Sequence, residues 1–198
     1  MDRVLLIGSN NKDKAREIRS LLEDSPWDVK SLSDFEPVSE PEETEATCEG
    51  NALLKARYYA EHFGVACVAD DSGLEVDALN GAPGVYSARY AGEGCSYADN
   101  NRKLLAALEG LPSERRRARF VCVAAFVDEE GGEHLERGTA EGVIAPECRG
   151  EHGFGYDPLF IPDGFDRTFG EFAPEAKAAV SHRGRAFRKL CNHLASLV

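Results

Sequence analysis

The 198-residue chain has no surplus of positive charge: 23 Lys and Arg stand against 35 Asp and Glu, for a formal net charge of -12. Proteins that grip nucleic acid or an anionic membrane surface need a basic face, so the composition argues against both partners. A small anionic ligand stays open, because a local basic cluster overrides the global sign. The six cysteines, at 48, 67, 95, 122, 148 and 191, never take Cys-x-x-Cys spacing. Zinc ribbons and dithiol redox motifs therefore lack support. No apolar stretch reaches the length of a membrane span. Met1-Asp2-Arg3-Val4 runs directly into a strand-like segment without the layout of a signal peptide. The Gly-x-x-x-x-Gly-Lys-Ser/Thr phosphate loop is missing too, as are internal repeats and low-complexity linkers. The expectation is a reduced, soluble, cytoplasmic protein.

What is present is an ordinary globular composition, 42% hydrophobic and 29% charged. The length suits one substantial core, in one domain or a two-lobed one. Val4–Ile7 reads as a buried strand that breaks into Gly8-Ser9-Asn10-Asn11. A helix follows, with Ala15, Ile18 and Leu21/Leu22 at helical spacing and an Asn as N-cap. Residues 23–46 are acidic, Pro-rich and poorly patterned, with one short strand over Asp28–Ser31. Thr47 caps a second helix striped by Ala52, Leu53, Ala56, Tyr59 and Phe63. Ser96 and Asp99 form a capping box for a third. Ala118–Val127 is a long strand, paired with Glu133–Ile144 across the Glu130-Gly131-Gly132 turn. Leu159–Ile161 is a further strand, and a last helix starts near Gly184. The pattern is mixed α/β. The block Arg115-Arg116-Arg117 and Arg119 reads as a solvated loop before a strand.

Five features carry chemistry. Val65–Ala69 is a buried strand that ends in adjacent acids, Asp70 and Asp71, so charge is expected at its C-terminal tip, where open α/β sheets bind ligands. A divalent cation with oxygen ligands would compensate the pair; a solvated turn is the competing reading. Ser9-Asn10-Asn11-Lys12-Asp13-Lys14 lies at a helix N-terminus, whose orphan N–H groups and dipole attract phosphate. Lys14 there opposes the dipole unless an anion sits nearby. Glu40, Glu42, Glu43, Glu45 and Glu49 form an acidic stretch, either metal-binding or solvated. Gly153-Phe154-Gly155-Tyr156-Asp157-Pro158 brackets an aromatic with glycines, which exposes a ring face to a base or to the core. Lys177 and Ser181-His182-Arg183-Gly184 supply donors suited to phosphate or carbonyl oxygen.

Taken together and in order, these segments resemble the non-standard purine nucleoside triphosphate pyrophosphatases, the inosine triphosphate or XTP/dITP pyrophosphatases. The resemblance runs over nearly the whole chain: Ser9–Lys14, Glu42-Glu43-Thr44 through Asn51-Ala52 and Lys55-Ala56, the run 69–92, Gly153–Pro158, and Lys177 with Ser181–Gly184. It implies an elongated α/β/α sandwich with a central mixed sheet and a cleft between two lobes, a single domain over 1–198, and a homodimer. It implies magnesium-dependent hydrolysis of ITP, dITP and XTP to the monophosphate and pyrophosphate, which cleanses the nucleotide pool. By the same resemblance Asp71 is general base and magnesium ligand, with Asp70 in support, and Ser72 contacts substrate. Ser9, Asn10, Asn11, Lys12, Asp13 and Lys14 form the phosphate side, with Lys14 its principal cation. Phe154, Gly155, Tyr156 and Asp157 hold the nucleoside, while Lys177, His182 and Arg183 close on the base and its keto oxygen.

Two positions depart from the family pattern. Thr-Phe-x-Glu-Asn-Ala is replaced by Thr47-Cys48-Glu49-Gly50-Asn51-Ala52, and Asn after the late Lys is replaced by Ala178. If the missing Glu supports the metal, Glu42, Glu43 or Glu49 must take over that role, and Glu42 or Glu43 is the expected one. Two alternatives stay open: a pyrophosphatase for other modified nucleotides and, because of Gly50, a nucleotide-binding or sensing protein with little turnover.

Overall fold

A computed structural model describes residues 3–197. Two compact units emerge. The first holds the chain up to Asp71, Cys122–Gly138 and the segment from Arg183 onward; the second holds Ser72–Val121 and Thr139–His182. The strands are β1 (Val4–Ile7), β2 (Asp28–Ser31), β3 (Ala66–Val76), β4 (Pro83–Gly84), β5 (Arg117–Val127), β6 (Glu133–Ile144) and β7 (Phe160–Pro162). The helices are α1 (Lys12–Leu21), α2 (Cys48–Phe63), α3 (Tyr97–Ala107), α4 (Pro174–Val180) and α5 (His182–Ala195). The sheet runs β2-β1-β3-β5-β6-β7, with β4 added to β3. It is mixed: β1 pairs parallel with β2 and β3, while β3–β4 and β6–β7 are antiparallel.

Period-two alternation builds the three layers of the first unit. Leu5, Ile7, Val68, Cys122, Ala124 and Phe126 face α1 and α5, meeting Ile18, Leu22, Phe187, Leu190 and Leu194. Their neighbours Leu6, Cys67, Ala69, Val123 and Ala125 face the other way, onto Ala52, Ala56 and Tyr59 of α2. In the second unit Leu74, Val76, Phe120 and Ile144 pack with Leu104 and Leu108 of α3 and with Phe160, Phe169 and Phe172. Caps fall where the sequence places them. Asn11 accepts from the N–H groups of Asp13 and Lys14, Thr47 from Gly50, and Ser96 shares a capping box with Asp99. Gly64 ends α2 in the left-handed conformation at φ 65°.

Two expectations change, and one helix is added. Strand β3 does not stop at Ala69; it continues to Val76, so Asp70 and Asp71 lie within a strand. Strand β1 is the one that ends, Ile7 pairing with Val68, and this leaves the two acids just past the end of β1. Arg116 is not solvated: it is buried, and its guanidinium donates to the carbonyls of Leu108, Leu111 and Ala145. Helix α4, only 7 residues long, lay below what periodicity resolves.

The continuation of β3 depends on Gly73, where a Cβ would run into the carbonyl oxygen of Gly84 on β4. Gly73→Ala is therefore expected to cost about 1–3 kcal/mol, the usual range for overpacking, as a lowered urea midpoint at unchanged slope.

Candidate active site

In the first unit the two acids of β3 have different surroundings. Asp70 is 1% exposed and paired with two cations, although its Oδ1 accepts no hydrogen bond among the described residues. Its Oδ2 accepts from Arg183 Nη2 at 2.9 Å and Nε at 3.2 Å, and Oδ1 lies 3.6 Å from Lys14 Nζ. The Cys122 thiol also donates to Oδ2, at 3.7 Å. Arg183 is 2% exposed, and its Nη1 reaches Glu17 of α1 at 2.6 Å. Burial by itself would raise the Asp70 carboxyl; Lys14, Arg183 and Lys55 outweigh it and hold Asp70 below the usual range. Asp70 is therefore anionic, and it is the anion that lets Lys14 sit in the first turn of α1 against the dipole.

Asp71 is poorer in partners. It is buried, Oδ1 accepts from Lys55 Nζ at 3.3 Å, and Oδ2 has no hydrogen-bond partner among the described residues. Burial pushes its carboxyl above the usual range; Lys55 and Lys14 oppose the rise, while Glu43 and Asp70 add to it. Lys55 also donates to Glu43 Oε1 at 2.7 Å. Burial works against its charge, but Asp71, Glu43 and Asp70 prevail and keep it protonated. The same surroundings push the Cys48 thiol up to about 12, through burial first and then the Asp71 charge.

The acidic loop delivers Glu43 to this cluster. Glu42 is exposed and forms no hydrogen bond or ion pair among the described residues. Neighbouring side chains of an open segment point to opposite sides, so one residue of register separates the inward acid from the outward one. The Gly50 vacancy is filled from the same loop: a Cβ at Gly50 would meet the Cβ and Cγ of Glu45. Asn51 pins that residue, accepting from the Glu45 N–H and donating to its carbonyl.

No three His, Cys, Asp or Glu side chains gather into a metal site among the described residues. Magnesium does not require that: it keeps several waters and takes one or two carboxylates plus substrate phosphates. The unpartnered, buried Oδ2 of Asp71 and the inward Glu43 fit such a donor set.

On the phosphate-side loop, Asn11 is spent on capping, and the N–H groups of Asp13 and Lys14 are spent with it. Anion binding at this helix end therefore rests on side chains. Asp13 pairs with Arg16 at 2.8 Å, Asn10 donates to the Tyr59 hydroxyl at 3.3 Å, Lys12 is exposed and Ser9 half-buried.

The second unit holds the other set. Asp157 Oδ2 accepts from the Phe154 N–H at 2.8 Å and from Lys177 Nζ at 2.5 Å, which closes the glycine-flanked loop on itself. The Lys177 ammonium stands 5.0 Å from the centre of the half-buried Phe154 ring. Gly155 takes φ 62° and its carbonyl accepts from Asn101 of α3 at 3.0 Å. Tyr156 points into the core and donates to the Ser87 carbonyl at 2.8 Å. His182 is buried with its ring stacked on Phe120, centroids 4.5 Å apart. Ser72 is half-buried on β3.

Four of the residues expected to contact a ligand, Asn11, Tyr156, Asp157 and Arg183, also make contacts within the protein. The sequence reading left Lys55 without a role. The signal was available, since a lysine at the centre of the Ala52–Ala56–Tyr59 stripe is a buried cation seeking a carboxylate.

Such a fold, with a carboxylate–lysine cluster beside a helix N-terminus and a separate aromatic–lysine loop, defines a mixed α/β protein equipped for phosphate chemistry. The chain belongs to the Ham1 family, whose pattern matches residues 5–193. The dITP/XTP pyrophosphatase of Nocardia farcinica is 50% identical over 196 residues, covering 98% of this chain and 95% of that protein. That of Desulforamulus reducens is 49% identical over 185 residues, covering 93% and 92%. A HAM1 protein from Coxiella burnetii superposes with a TM-score of 0.88 at 40% identity, covering 98% of this chain and 99% of its own.

Removing Asp70 leaves Arg183 buried with only part of its compensation. Asp70→Ala is expected to lower the unfolding free energy by about 3–5 kcal/mol, the usual cost of breaking a buried ion pair, measured by urea titration.

Proposed function

We propose that the chain hydrolyses non-standard purine nucleoside triphosphates, ITP, dITP and XTP, between the α- and β-phosphates. The products are the nucleoside monophosphate and pyrophosphate. The observation that carries the reading is Asp71: a buried carboxylate, raised in basicity, with one oxygen held by Lys55 and the other accepting no hydrogen bond among the described residues. The names and near-full coverage of the relatives support the substrate class.

Magnesium would be held by Asp71 and by the Glu42–Glu43 pair, of which Glu43 is the inward member. When bound it neutralises phosphate charge and acidifies water. The chain's own groups do the rest. Asp71 accepts the proton of the attacking water, and its raised basicity favours that transfer. The oxygen of that water joins the α-phosphorus, and the α–β bridging oxygen leaves with pyrophosphate. Lys14 balances charge on the departing group, held in place by Asp70. Lys55 restrains one Asp71 oxygen and, by staying protonated, keeps the cluster from accumulating uncompensated negative charge. On the nucleoside side, Phe154 offers a stacking face, and Lys177 and His182 provide donors for a 6-keto oxygen. An adenine amino group in that place leaves a donor unpaired, at a cost of about 1–3 kcal/mol.

We read residues 1–198 as a single domain, because β3, β5 and β6 each contribute to both units. Six free cysteines suit a reducing cytoplasm. No helix among the described residues is long and apolar enough to cross a membrane. A homodimer is proposed from the family resemblance.

The test is pyrophosphate release with magnesium from ITP, dITP, XTP, GTP, ATP and dUTP. The first three are expected to lead; equal rates on ATP and ITP would refute the specificity, and no release from any would refute the activity. Asp71→Asn is expected to lower kcat by about 100-fold or more, the contribution of a general base, with the unfolding temperature preserved.

A further inference from the structure

The second unit sets a second aromatic ring beside Phe154. Helix α3 opens with Tyr97, which is 41% exposed. Its ring centroid lies 5.9 Å from that of Phe154, with the planes inclined by 42°. This neighbourhood is built in by the helix itself. One turn further on, Asn101 donates to the carbonyl of Gly155, the residue directly after Phe154. Residues four apart share a helix face, so the hook and the ring come from the same side of α3. Asn101 is buried, which shields the link from water and fixes the loop against the helix. Asp157 and Lys177 in turn hold the Phe154 backbone and ring. Phe154 is thereby positioned by three groups, and the exposed Tyr97 ring lies against it.

We propose that Tyr97 is a nucleoside-contacting residue that forms the second wall of the base site whose first wall is Phe154, and that it favours bicyclic over monocyclic bases. The inference rests on the reading of Gly153–Pro158 as the nucleoside end. Rings inclined by 42° cannot sandwich a flat base in parallel. A base stacked on Phe154 instead meets Tyr97 at its edge, within the range of tilted aromatic contacts. An edge contact rewards the longer purine and is missed by a pyrimidine.

Binding of inosine monophosphate, followed by calorimetry, tests this without relying on turnover, alongside steady-state kinetics on ITP. Tyr97→Ala is expected to weaken inosine monophosphate binding and to raise KM by about five-fold, the lower end of base–aromatic stacking, with kcat within about two-fold. Tyr97→Phe is expected to match the wild type, and cytidine monophosphate binding to be indifferent to either change. If Tyr97→Ala binds inosine monophosphate as the wild type does while Phe154→Ala binds it weakly, Tyr97 is not a wall and the nucleoside assignment stands. If neither variant alters binding, or the wild type does not bind it, the assignment of the segment falls and Tyr97 falls with it. A loss of kcat and unfolding temperature together in Tyr97→Ala would make the ring a structural part of α3 and overturn the proposal.

Discussion

Two adjacent carboxylates inside a buried strand are the constraint around which the first unit is organised. Side by side on β3, Asp70 and Asp71 repel each other, and burial penalises both charges. The fold compensates them with cations from three helices: Lys14 of α1, Lys55 of α2 and Arg183 of α5. Each of those cations is itself buried or nearly so and would be costly without its acid. The helices are tied to the sheet by apolar packing and also by this mutual dependence of charge.

Compensation is unequal, and the inequality separates structure from chemistry. Asp70 receives Arg183 as a fork and Lys14 besides, and is held firmly ionised. Asp71 receives Lys55 on one oxygen only and keeps the other available. Adjacent residues in a strand point to opposite faces, so Asp70 turns toward the α1–α5 layer and Asp71 toward α2. Strand alternation, applied to two identical side chains, gives one a pair of cations and the other a single lysine. The glycine-flanked loop of the second unit follows a related logic: one aspartate, Asp157, gathers a backbone N–H and a lysine, and the geometry of an aromatic ring follows from that gathering.

Much of this was legible before any coordinates. Apolar runs marked β1 and β5, polar alternation after a glycine turn marked β6, and Asn11, Thr47 and Ser96 marked the starts of three helices, because caps act within a few residues. The segments that matter for chemistry stood out for the same local reason: acids, glycines and lysines in places where strands and helices disfavour them. The strand carrying the two acids looked finished at Ala69, since charge ordinarily ends a buried run. Its continuation depends on cations contributed by residues far away in sequence. The choice between Glu42 and Glu43 turned on one residue of register in a loop without pattern. The burial of Tyr156 and Arg183 turned on partners 69 and 113 positions away.

The sequence by itself determined the mixed α/β pattern, the positions of the caps, and the set of segments from which a site could be made, because each is settled by neighbours within a helical turn or a strand repeat. Only the tertiary structure decided what each residue of those segments does. How many cations Asp70 and Asp71 each receive, whether Lys55 is a surface charge or a buried partner, and which acids Arg183 pairs with all depend on which distant charges burial brings within a few ångströms, and at that range electrostatics outweighs local propensity.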